Sequence, residues 1–163
     1  MRLFTNVILT TTLAATLAVA GNLPGYKVLC NQLENLKGWE VSKCDGMKMT
    51  NPMFGEMVTA SKNYTKGDKS VEVSVVSGMQ AMMTWAPFQT GMTMENDEQL
   101  VKVEKIDGFP VGFSYDKQAH SGTLAVLLAP NAVLVLNYDN MHWKEALKMA
   151  KVFEWEKLSK LFK

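Results

Sequence analysis

The sequence predicts an α+β domain: a single antiparallel β-sheet of about five to seven strands, covered by helices from the N- and C-terminal ends of the chain. Three observations predict it. Val71, Val73 and Val75 alternate strictly with Glu72 and Ser74 after the turn residues Thr65-Lys66-Gly67-Asp68-Lys69, the pattern of a hairpin with one buried face. The runs Val111 to Tyr115, Thr123 to Leu128 and Ala132 to Tyr138 are joined by short connections, which force antiparallel neighbours. Apolar residues also recur at helical spacing towards both ends of the chain.

Taken in order, Val28, Leu29, Leu33 and Leu36 place a helix over Tyr26 to Leu36, with Gly38 as its C-terminal cap. Trp39 then begins an extended segment, and Met57 to Tyr64 forms the strand that enters the first hairpin. After Gly78, Met79 to Trp85 reads as a short helix capped by Ser77 and stopped by Pro87. The remainder, up to Glu98, reads as a long loop. Leu100, Val101, Val103 and Ile106 then lead to the turn Asp107-Gly108-Phe109-Pro110 and the three strands beyond it. Asp139-Asn140 opens a closing helix around His142 to Lys151, with Trp143, Ala146, Leu147 and Ala150 on one face. A last turn carrying Trp155, Leu158, Leu161 and Phe162 packs back on the body. As architecture alone, this order resembles the small sandwich of the photosystem oxygen-evolving subunits of the PsbP kind and of the Mog1 proteins, and no functional residue is carried over from that resemblance.

The start of the chain predicts export. Arg2 is followed by an uncharged run containing Val7, Ile8, Leu9, Leu13, Leu17 and Val19, and Ala18-Val19-Ala20 supplies small residues where a signal peptidase cuts. Residues 1–20 therefore read as a cleavable leader and 21–163 as one mature domain, periplasmic or secreted. The most apolar later stretch, Leu124 to Leu136, is broken by Pro130-Asn131 and is not a membrane span, so no integral membrane protein is expected. The leader holds Arg2 and no acidic residue, so the chain's 17 basic and 16 acidic residues become 16 and 16. That balance argues against a nucleic-acid partner, which needs a basic surplus. Two cysteines in an exported chain make one disulfide, Cys30 to Cys44, whose spacing is far from that of a redox C-x-x-C pair.

No motif of catalysis is present: neither a phosphate-cradling glycine loop nor a metal-ligand spacing of His and Cys occurs. His120 reads as a turn residue and His142 as an exposed residue in the first turn of a helix. The acidic group Glu95, Asp97, Glu98 lacks the ligand alternation of a calcium loop. A non-catalytic protein is the expectation.

Methionine is the compositional anomaly, with eleven beyond Met1. Two readings follow from it. In the first, the segment from Met79 to Met94, with Met79, Met82, Met83, Trp85 and Phe88, is an adaptable surface that binds a protein partner, a second copy of the chain or an apolar ligand without any cofactor. In the alternative, one Met-x-Met pair with His142, or the pairs Met47 with Met49 and Met92 with Met94 together, hold copper as Cu(I), which soft thioethers select. Methionine also fills cores, as expected at Met82, Met83 and Met149, or absorbs oxidant when scattered over a surface.

Overall fold

A computed structural model of the chain describes residues 23–163, and the expected leader with its cleavage point before Gly21 lies outside the described residues. The strands are β1 (Glu40–Val41), β2 (Asp45–Asn51), β3 (Gly55–Lys66), β4 (Lys69–Ser77), β5 (Met94–Glu95), β6 (Gln99–Ile106), β7 (Phe109–Asp116), β8 (Ser121–Ala129) and β9 (Ala132–Asp139). All pair antiparallel in one sheet ordered β3-β4-β9-β8-β7-β6-β5, and β1 and β2 share the outer side of β3. The sheet thus has nine strands, more than the five to seven expected. Part of the excess is β1 and β5, two residues each, which pair only at the two edges. The rest is β2, whose Asp-Gly-Met-Lys-Met-Thr-Asn sequence has little strand propensity of its own and is held by its seven-residue register with β3.

The turns obey local chemistry. Asp107 and Gly108 join β6 to β7 with φ of 50° and 88°, the left-handed pair that a two-residue hairpin requires. Between β3 and β4, Gly67 alone takes positive φ, at 62°, as at the first central position of the other favoured two-residue hairpin turn.

The helices are short. They are α1 (Tyr26–Cys30), α2 (Met79–Trp85), α3 (Trp143–Val152) and α4 (Trp155–Ser159). The expected helix to Leu36 ends at Cys30, and the chain beyond it is held against β3 by side-chain hydrogen bonds to its carbonyls. Lys62 Nζ donates to Leu33 O, and Tyr64 Oη donates to Glu34 O at 2.8 Å. The Cys30–Cys44 disulfide, with Cα atoms 5.7 Å apart, ties the end of α1 to the start of β2. At α2 the expected cap by Ser77 is not made. Ser77 is fully buried and its hydroxyl donates to Val58 O across the sheet, leaving Gly78 as the N-cap. Only glycine fits there, since φ is 79° and a β-carbon would stand 2.3 Å from Glu56 O.

The sheet is covered on both faces. On the first, Val71, Val73, Val75, Phe113, Leu124, Leu134 and Leu136 pack against Leu29 of α1, Ala146, Met149 and Ala150 of α3, and Trp155 and Leu158 of α4. Helices from both ends of the chain therefore meet on one face, as the sequence implies. The second face is smaller: Val76, Ala125, Val133 and Val135 pack beneath Ala81, Trp85 and Phe88 of α2 and the 3-10 turn that follows it.

Candidate functional site

Strand register decides where the methionines point. Met47 pairs with Thr59, Thr59 with Val76, and Val76 with Val133; the two valines belong to the second core. Facing residues on paired strands share a face, so Met47, Met49 and Met57 lie on the second face. Met94 pairs with Val101, two residues from Val103, which packs on that same core. Helix α2 then lays Met79, Met82 and Met83 over this face. Among the described methionines only Met141 and Met149 are buried, both in the first core.

What keeps α2 in place is the aromatic half of the expected binding segment. Trp85 and Phe88 are 8% and 5% exposed, with ring centroids 5.5 Å apart. Phe88 presses on the backbone of Gly112, where a β-carbon would stand 2.3 Å from the ring. These two residues are anchors, and the surface offered to solvent is methionine: Met82 is 56% and Met83 70% exposed, with Met79 also exposed at the start of the helix. Met82 and Met83 therefore do not fill the core. At the tip of the β2–β3 hairpin, Met53 and Phe54 are also exposed, an addition the sequence pattern did not single out.

The alternative metal set is dispersed by the topology. Met47 and Met49 sit on β2 and Met94 on β5, at opposite edges with six strands between them, about 34 Å along the sheet at the usual strand spacing. Met92 lies in the loop before β5. His142 is the N-cap of α3, beside Tyr115 and Trp143 of the first face. One ion cannot bridge these groups. Among the described residues, no three of His, Cys, Asp and Glu are placed to hold a metal.

The two histidines meet instead at one tyrosine. Tyr115 Oη lies 2.9 Å from Nδ1 of His120, and the Tyr115 and His142 rings are 5.2 Å apart. The turn that brings His120 here holds it at φ 50°. Burial pushes the Tyr115 phenol up, helped by the charge of Asp116. His142 is pushed below the ordinary imidazole value, first by loss of solvent and then by the charges of Lys144 and His120. Its Nδ1 accepts from the backbone N–H of Lys144 at 3.2 Å. The sequence carried no signal for this grouping, because it depends on β7, the β7–β8 turn and α3 coming together.

Comparison with protein-family models, with curated proteins and with solved structures returns no match. Among the described residues no helix is long and apolar enough to cross a membrane.

Proposed function

We propose that the chain is an exported, non-catalytic binding protein that engages an apolar partner surface through the methionines of α2. The observation that carries this reading is the two-sidedness of α2. Ala81, Trp85 and Phe88 fix it to the sheet, while Met82 and Met83 stay largely exposed. Methionine is unbranched, rotates about three bonds and adapts to irregular apolar surfaces, and burying one such side chain stabilises a complex by about 1.5–3 kcal/mol. A rigid helix presenting adaptable apolar side chains suits a docking surface better than it suits a solvated one. The disulfide accords with an oxidising compartment.

The test is a photo-reactive residue placed at position 83 in the native host, with the same residue at Lys148 on α3 as the control. A discrete adduct from position 83 that is absent from position 148, and that is lost when Met79 and Met82 become Ser, supports the reading. An adduct of twice the chain mass identifies the partner as a second copy. Equal labelling from both positions, or none from 83, rejects it.

A further inference from the structure

We propose that Met47, Met49 and Met57 form a three-thioether site for Cu(I) on the second face of the sheet. Met47 and Met49 are successive same-face residues of β2, and Met57 of β3 is the direct cross-strand partner of Met49. In such a ladder, facing β-carbons stand about 5 Å apart and diagonal neighbours about 7–8 Å. Three flexible, unbranched side chains rooted on that triangle can bring their sulfurs to one point above it. Met57 is backed by α2, because a β-carbon on Gly78 would lie 3.2 Å from its Cγ. Met47 and Met49 are 54% and 42% exposed, which leaves the approach open. Asp45 continues the same row of β2 and adds a negative charge beside a site whose donors are neutral.

The donor set decides the ion. Thioethers are soft ligands that take Cu(I) and leave hard divalent cations to oxygen donors. Both cysteines are joined to each other, so no thiolate of this chain competes, and the thioethers remain ligands in an oxidising compartment. Met92 and Met94, at the far edge of the sheet, take no part. The site is independent of whatever docks on Met82 and Met83, and either idea survives the failure of the other.

The experiment titrates the disulfide-intact protein, carrying 13C-labelled methionine methyls, with Ag(I), a redox-silent ion of the same charge and softness. Cu(I) is then added without oxygen against a Cu(I) chelator. One ion per chain is expected, with the methyl signals of Met47, Met49 and Met57 moving together while those of Met82, Met83, Met92 and Met94 stay. Changing Met47, Met49 and Met57 to Leu, a volume-conserving swap at accessible positions, abolishes uptake with an unchanged circular dichroism spectrum. Changing Met92 and Met94 to Leu does not. Unaltered uptake by the triple variant, or an equal shift of every exposed methionine, overturns the proposal.

Discussion

Phe88 and Gly112 are fitted to one another: the ring occupies the space a β-carbon would need, with the nearest ring atom 2.3 Å from that position. Gly112 lies in the middle of β7, where glycine weakens a strand and is kept only for a close approach. Gly112→Ala should therefore lift Phe88, and with it the turn that follows α2, at a cost of about 1–3 kcal/mol. Denaturant unfolding measures the loss. Adding Phe88→Ala removes the clash, so the double variant should be less destabilised than the two single changes combined. Strict additivity would mean that the ring does not seat on Gly112.

His142 makes the N-terminus of α3 sensitive to acid. Its Nδ1 accepts from Lys144 N–H, which a doubly protonated imidazole cannot do, and a cation at the positive end of a helix is unfavourable. Lys144 and His120 face it with like charge, Glu145 with opposite charge, and Tyr115 and Trp143 line it. Since its folded pKa lies below the ordinary 6.5, the unfolded chain binds the proton first as pH falls. The contribution is complete above that ordinary value and is lost as pH drops through the folded one. His142→Asn keeps a capping acceptor without a titrating group. Its unfolding free energy should vary less between pH 7 and pH 5 (about the range over which an imidazole titrates) than that of the parent chain.

These two contacts differ in how far the sequence reveals them, and the difference is physical. The valines of β4 show their buried face because side chains alternate with period two, and α2 shows its end because Pro87 cannot continue it. The turn at Asp107-Gly108 is written in residue types that tolerate positive φ. By contrast, the pairing of Met49 with Met57 and the seat of Phe88 on Gly112 are matters of register between strands and layers. Hairpin register follows from the turn, but β2 has no strand pattern from which to count it, and no local pattern encodes the packing between layers. The same gap explains β2, a strand by virtue of its partner, and the stretch after Cys30, where Lys62 and Tyr64 reach across from β3 to Leu33 and Glu34. It also explains why two equivalent Met-x-Met pairs in the sequence end on opposite edges of the sheet.

The disulfide fastens a part of the molecule that the cores reach only in part. The segment between Cys30 and Cys44 holds buried Leu33 and otherwise only part-buried or exposed residues, and its backbone hydrogen bonds to β3 are confined to the two-residue β1 and Ser42, whose N–H donates to Asn63 O. Replacing both cysteines by Ser should cost about 3 kcal/mol, the loop-closure value for a link of this length. The loss should appear first in hydrogen exchange of α1 and β2, ahead of β4 and β9. Uniform protection loss across the sheet would place the bridge's effect on the whole domain.

Tyr138 offers the opposite case, a polar group whose removal should help. Its ring is 2% exposed and stacks at 6.4 Å on Tyr115, and its hydroxyl is buried with no hydrogen-bond partner among the described residues. The oxygen fills the space that Gly122 leaves open, where a β-carbon would come 2.7 Å from it, and the neighbouring Tyr115 hydroxyl is already paired to His120. Burial drives the phenol's pKa upward, and Tyr115 adds to the shift. A buried hydroxyl without a partner costs about 1–3 kcal/mol of desolvation. Tyr138→Phe keeps the ring and deletes the oxygen, so the variant should unfold at equal or higher denaturant concentration. A clear destabilisation would show that the hydroxyl is satisfied in solution, by a bound water or by His142 turning towards it.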